Sequence, residues 1–442
     1  MFLKEIIHSK KYSVFICFLI LIFAGCSTKQ GNQLEKQNSS PRIRPYVVRN
    51  LATVPNQKLP PDNIRSITFY KLQDPGGAPI IRLKSDDQLE LQFDDMSSDA
   101  NMYTVKITHQ NEDWSRSNLN PVDYCSNIDD QISNGVQSKT NNPSYTHYKY
   151  VFPNRNFKPL VSGNYLLHVY DFSTGREMFS LPFFVTEQKK QVSTHIETLF
   201  NQGSRYLRHN QLFVQYPYPD FVQFPQLDLS VRFVQNQFWG RAKKADVKDI
   251  SQPGVIKFHN SRDHLFVSTY EFRQLNLDPL NGQGYRILSY RPETIPPEII
   301  LRRDVVNLDV NPSQRKSYKF GEPNNSRDAE YANVHFSLEV PSSYQVNGAI
   351  YIYGSFNNWS IEDANKMHWD PKDAMYKGSA VIKEGKYDYK YAVLKNGEID
   401  DLRLDASFAD TKQQYYTFIY FKDPQMHYDR ILAYNLTYSG SF

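Results

Sequence analysis

Gly354-Ser355-Phe356-Asn357-Asn358-Trp359, with Lys383-Glu384-Gly385-Lys386-Tyr387-Asp388-Tyr389-Lys390-Tyr391 further along, is the stretch that decides the fold. Gly354 and the paired Asn357 and Asn358 are turn residues: glycine and asparagine tolerate left-handed backbone, and an asparagine side chain can bond the chain two residues on. The segment before the turn, Ile350–Gly354, is built from Ile and Tyr. After Gly385, Tyr387, Tyr389 and Tyr391 alternate with Asp388 and Lys390, the period-two pattern of a half-buried strand. The pair of segments reads as two strands of a small β-sandwich, with Asn357-Asn358 making the turn and Trp359 capping it.

The same signals repeat outward from this point. Toward the N-terminus, Leu89–Phe93, Tyr103–Thr108, Gly163–Tyr170 and Ser180–Thr186 are strand candidates, the last two resembling the closing strands of an immunoglobulin-like sandwich. Val192–Leu199, Gln211–Gln215, Leu227–Val234 and Tyr270–Arg273 begin a second series, and Val334–Val340, Tyr387–Val393 and Tyr415–Phe421 a third. Residues 311–325, rich in Asn, Pro, Ser and Lys, read as a linker. The expected fold is all-β: three consecutive β-sandwiches of immunoglobulin-like type over residues 46–187, 188–318 and 326–435. Residues 111–148 form the longest irregular stretch of the first half; loops of that length are usually functional or mobile.

Composition supports this class. Aromatics are 14% of the chain, with 31 Tyr and 28 Phe, which favours strands, and 25 Pro interrupt it too often for long helices. The net charge of +4 is small for 442 residues, and no block of five Lys or Arg occurs, which argues against a nucleic-acid surface. Lys4, Lys10 and Lys11 precede an apolar run, Val14–Ala24, that is too short to span a bilayer. It ends in Phe23-Ala24-Gly25-Cys26, which resembles a bacterial lipobox. The resemblance implies that residues 1–25 are a signal, that Cys26 is lipidated and that residues 26–45 are a flexible tether; an ordinary cleaved signal with a chance Cys is the alternative. Ser27 after the Cys implies the periplasmic leaflet of the outer membrane. Of three Cys, only Cys125 then remains as a free thiol, so no intrachain disulfide is expected. Its neighbours Asp123, Tyr124 and Ser126 supply no base, so Cys125 reads as a packed side chain.

Candidate sites are few. His109-Gln110-Asn111-Glu112-Asp113-Trp114 gathers His, Glu and Asp, and His147 could face it across the long loop. Metal binding needs three or four convergent ligands, so a solvated or turn-forming cluster is expected instead. Asp94 and Asp95 are adjacent; strand neighbours point to opposite faces, so the two would not share an acid–base site, and a turn is expected there. The chain has no Gly-rich phosphate loop, nucleophile elbow or zincin motif. No catalytic residue, metal ligand or cofactor is assigned.

Two resemblances add to this reading. The last domain resembles a glycogen-binding module, which implies that Trp359 stacks on a sugar ring and Lys390 hydrogen-bonds it. The loop Lys395–Asp400 lacks the second aromatic of that family, so Trp359 and Lys390 read first as structural. The whole order of phrases resembles the plug protein family of the Bacteroidetes type IX secretion system. These are Leu89–Asp95, His109–Ser115, Ser138–Tyr148, Phe152–Asn154, Ser162–Tyr165, Gln235–Trp239, Tyr270–Arg273, the Gly354–Trp359 turn and Tyr428–Arg430 with Tyr434. That resemblance implies a non-catalytic, monomeric subunit closing the periplasmic end of the giant outer-membrane translocon β-barrel. A carbohydrate-binding outer-membrane lipoprotein of a glycan-uptake system is the alternative.

Overall fold

Strand Leu89–Asp95 is buried along its whole length, although only every second residue is apolar. Leu89, Leu91 and Phe93 enter a core of Ile, Val, Phe and Tyr side chains, while Glu90, Gln92 and Asp94 lie on the other face under cover of their own. The strand's period of two is thus kept in chemistry rather than in exposure.

The protein is described by a computed structural model over residues 53–439, apart from 98–99, 142, 201–207, 268–271, 282–283, 307–320, 343 and 405–411. These residues belong to a single compact unit, Pro45–Phe442. The signal, Cys26 and the tether fall outside the described residues. Nearly all regular structure is β, with one-turn helices at Pro121–Tyr124 and Pro225–Asp228.

Six sheets make three sandwiches. In the first, strands Ile64–Lys71, Leu89–Asp95, Thr146–Phe152 and Val136–Gln137 face a sheet of Ile80–Arg82, Glu177–Thr186, Gly163–Asp171, Tyr103–Gln110 and Asp130–Ile132. Cys125 is buried in the core between them, and burial pushes its thiol pKa up. In the second, Ser193–Phe200, Arg208–Pro217, Val255–His259 and Val247–Asp249 face Lys243–Lys244, Leu229–Gln235, Gln413–Lys422 and Asp429–Ser439. The third pairs Gly385–Lys395 with Arg273–Asn276 and Ala349–Gly354, and stacks this sheet on one built around Glu298–Leu301, Tyr331–Glu339 and Met375–Lys383.

Strand pairing divides the chain differently from the expected boundaries of 188–318 and 326–435. Leu229–Gln235 pairs with Gln413–Lys422 over seven residues, and Tyr415, Ile419, Phe421, Leu432 and Ala433 complete the second core. Arg273–Asn276, Ile287–Arg291 and Glu298–Leu301 belong to the third sandwich. The third sandwich is therefore inserted into the second. A strand's own period carries no mark of a partner so distant in sequence.

Candidate functional site: the joints between the sandwiches

Each pair of sandwiches meets at its own joint, and most of the phrases singled out in the sequence lie at these joints. At the joint of the first and third, Asp94 at the end of its strand is fully buried. Its Oδ2 accepts from Lys383 Nζ at 2.7 Å and from the Tyr331 hydroxyl at 2.7 Å, and its Oδ1 meets His147 Nδ1 at 2.6 Å. Tyr331 and Lys383 sit directly opposite each other on neighbouring strands, so both side chains leave the third sandwich on one face. Lys383 is also 0% exposed, and its Nζ lies 4.4 Å from the centre of the Tyr145 ring. Burial lowers the Lys383 pKa, while Asp94 opposes the shift. Tyr145 donates to the Ala329 carbonyl at 2.9 Å, and at the rim Lys139 pairs with Asp328 at 2.9 Å. Both carboxylate oxygens are thus occupied by the chain's own donors. Asp95 points the other way, to Tyr103 at 2.6 Å and Asn63 at 2.9 Å, so the two acids share no site; both end a buried strand rather than form a turn.

The joint of the first and second sandwiches is apolar within and ionic at its rim. Ile80, Trp114, Leu166 and Phe184 pack on Trp239, Phe418 and Tyr420. Phe184 stacks on Phe418 at 4.5 Å between ring centres. Glu112 reaches across to Ser230 at 2.7 Å, Arg232 Nε at 2.8 Å and Lys244 Nζ at 3.0 Å. Its backbone N–H donates to Asp429 at 2.8 Å. On the linker, Glu187 takes a two-pronged contact from Arg430, at 2.7 and 2.9 Å. His109 is 1% exposed, packs its ring 5.2 Å from Tyr428, and is pushed down to a pKa of about 4 by burial. His109–Trp114, expected to be solvated or turn-forming, does turn, the Trp114 N–H donating to the Asn111 carbonyl at 3.0 Å, but with His109 buried and Glu112 bound across the joint it is also a clasp. His109 meets the Ser162 carbonyl and His147 meets Asp94, on different sheets, so they do not converge.

The joint of the second and third sandwiches is aromatic. Trp359 is 1% exposed and lies edge-on to Phe238 at 5.6 Å, Phe272 at 5.1 Å and Tyr353 at 5.6 Å. Arg241 and Asp401, both buried, pair at 3.0 Å beside it. The turn forms as its residues dictate. Asn357 Oδ1 accepts the Gly354 N–H at 3.0 Å, its Nδ2 donates to the Ser360 carbonyl at 2.8 Å, and Asn358 and Trp359 are left-handed at φ 51° and 60°. A Cβ on Gly354 would fall 2.5 Å from the Asp388 carbonyl, so only glycine fits. Lys390 is 0% exposed, its Nζ 5.7 Å from the Phe272 ring centre. Neither Trp359 nor Lys390 can reach a sugar without parting this joint, which corrects the stacking role that the glycogen-binding resemblance implied.

One centre was not found by sequence reasoning. In the third sandwich Asp304 is buried, accepts the Tyr389 and Tyr391 hydroxyls at 2.7 Å each, and faces Arg286 and Arg273. The i, i+2 spacing of Tyr389 and Tyr391 put both on one strand face and was its only trace.

Residues 64–187 match the family model of the type 9 secretion system plug protein 1st domain. The match spans the first sandwich, whose strands run from Ile64 to Thr186, and supports the plug-family resemblance. A hypothetical protein from Parabacteroides merdae, known from a crystal structure, superposes with a TM-score of 0.76 at 21% identity, over 87% of this chain and 99% of that one. That likeness shows the fold of nearly the whole described unit. The dimeric latent PorU of Porphyromonas gingivalis aligns at 9% identity over 87% of this chain and 34% of its own, with a TM-score of 0.16, too low to carry an argument. No curated protein matches the chain.

Proposed function

We propose that this chain is a non-catalytic plug subunit of the type IX secretion system, closing the periplasmic end of the giant outer-membrane translocon barrel. The match of residues 64–187 to the plug protein's first domain carries the reading. The joints support it. A stopper works by shape, and three sandwiches clasped pairwise by buried ions and rings keep one shape. Two of the buried acids are spent on the chain's own donors: Asp94 on Lys383, Tyr331 and His147, and Asp304 on two tyrosines and two arginines. Lipidation of Cys26 would hold the block, as a monomer, at the periplasmic face of the outer membrane, within reach of the barrel. The carbohydrate-binding reading loses both of its residues to the aromatic joint.

The test is affinity purification of the tagged full chain, in mild detergent, from cells making the barrel. Co-purification of the barrel is expected, with increased entry of large impermeant antibiotics after deletion. Recovery of the chain alone, with an equally tight outer membrane in the deletion strain, refutes the proposal. Mass spectrometry of the mature N-terminus decides the lipid separately.

A further inference from the structure

Phe221, Phe224 and Leu227 stand on the loop before strand Leu229–Gln235, and Met426 on the turn after Gln413–Lys422. All four are exposed, Phe224 by 62% and Leu227 by 79%. Leu229 pairs with Phe421, so the loop and the turn lie at the same end of their sheet. The first sandwich carries a similar pair. Val122, on the one-turn helix Pro121–Tyr124, and Ile128, just beyond it, are 73% and 72% exposed.

A series of contacts joins the two sets. The Tyr124 carbonyl accepts the N–H of Leu160, itself exposed, at 2.9 Å. Two residues on, Ser162 donates to Glu187 at 2.8 Å, and Glu187 holds Arg430 at 2.7 Å. The Arg430 guanidinium lies 5.2 Å from the centre of the Phe221 ring and bonds Asp423 at 3.1 Å, and Asp423 accepts the Met426 N–H at 3.0 Å. The exposed apolar side chains thus share one end face of the first and second sandwiches. The third sandwich meets both at their other ends. Asp94 closes the strand that Leu89 opens, and Phe238, which covers Trp359, follows Gln235 at the far end of the strand that Leu229 opens.

The course of the N-terminal chain decides what this face meets. Lys58 and Ser180 exchange hydrogen bonds at 2.8 and 3.0 Å. Asn56 donates to the Trp114 carbonyl at 3.1 Å, and Val54 packs with Phe184. Followed back from Lys58 to Val54, the chain runs beside strand Glu177–Thr186 towards Glu187, and so leaves on the side of the end face. Residues 26–52 reach roughly 30 Å as a flexible tether. A lipid on Cys26 would therefore hold this end, and not the third sandwich, next to the bilayer. Charge on the loops is mixed, with Asp123, Asp129, Asp220 and Asp228 among Arg155, Lys158, Lys248 and Lys422, so attraction falls to the apolar tips.

We propose that this end face is a membrane contact: Phe221, Phe224, Leu227 and Met426, with Val122 and Ile128, dip between the headgroups of a phospholipid bilayer. Exposed apolar patches rimmed by polar residues mark interaction sites, membranes among them. Here the tips gain by leaving water, and a lipid anchor is held more firmly by a second contact. The choice of a bilayer rests on the lipid-anchor reading, but the contact is tested without the lipid.

The probe is a sucrose-loaded vesicle of phosphatidylcholine and phosphatidylethanolamine, pelleted with the purified chain from Ser27 onward, which keeps the compact unit Pro45–Phe442 and carries no acyl group. Cosedimentation is expected, with little dependence on salt. Phe224→Ser with Leu227→Ser should lower the partition coefficient about tenfold or more, and Val122→Ser with Ile128→Ser should lower it from the other sandwich; all four positions are exposed, so the unfolding transition should stay that of the parent. Absence of the chain from the pellet, equal sedimentation of both double variants, or a dimer that these substitutions dissolve would each overturn the proposal. Loss of barrel co-purification in the variants, without vesicle binding by the parent, would also overturn it and give the face to a protein. Sedimentation of the lipidated chain alone would leave Cys26 as the sole anchor and overturn the contact, whereas binding of the Ser27 chain alongside an unmodified Cys26 in cells would sink the anchor and uphold the contact.

Discussion

Replacing Lys383 by Met removes the ammonium from a carboxylate that no water can reach. Asp94 and Lys383 are each 0% exposed and 2.7 Å apart. Breaking a buried ion pair by deleting one member typically costs about 3–5 kcal/mol, because the survivor is left uncompensated. Here Asp94 keeps the Tyr331 hydroxyl and His147, so the lower end, about 3 kcal/mol, is expected for Lys383→Met. Lys383→Met with Asp94→Asn removes both charges and should cost less than the sum of the single changes, with a coupling of about 2 kcal/mol. Urea unfolding followed by Trp fluorescence measures both. A single change that costs under about 0.5 kcal/mol, within the range of ordinary surface substitutions, or strict additivity in the double variant, would show that the pair does not hold the joint.

The other joints make their own predictions. Trp359→Ala empties the aromatic joint and should cost about 3–5 kcal/mol in the same assay; retention of the parent chain on α-glucan that Trp359→Ala abolishes at unchanged stability would return Trp359 to a binding role. His109 has a folded pKa of about 4 against an ordinary 6.5, so it stabilises the fold above 6.5 and loses that contribution as the pH falls toward 4. The difference between the parent and His109→Gln should change over that window by on the order of 3 kcal/mol, and parallel pH profiles would contradict this. Arg430→Lys replaces a two-pronged contact with Glu187 by a point charge and should cost about 1–2 kcal/mol, read as a lowered Tm; an unchanged Tm would refute a role for that fork.

What could be read from the sequence was local. Tyr103–Gln110 shows its period of two and folds as a strand; Asn357 and Asn358 ask for a turn and make one; Asp94 and Asp95 were separated to opposite faces by strand geometry alone. What could not be read was pairing at a distance. Leu229–Gln235 looks the same whether its partner is near or, as here, the hairpin that ends the described chain. Likewise nothing around Trp359 announces that Phe238, from another sandwich, will cover it. The cluster at His109–Trp114 misled for the same reason: a Glu with no local partner looks solvated until Arg232 and Lys244 arrive from the next sandwich.

The insertion of the third sandwich into the second has a mechanical consequence. The chain crosses their joint twice, once before Arg273 and once before Gln413, so rotation about a single linker is unavailable. The first sandwich then closes a ring, holding the second through Glu112 and Glu187 and the third through Asp94. In a ring of three bodies, no joint can open as a hinge unless a second one gives way as well. Opening between the second and third sandwiches would have to expose Trp359 and also strip Lys383 from Asp94 or Arg232 from Glu112. Such costs add across separate sites and exceed what a gating transition commonly supplies, about 1–3 kcal/mol of coupling. A body built this way therefore moves as one piece. Any displacement of it would be set by contacts on its outer surface and not by motion within it.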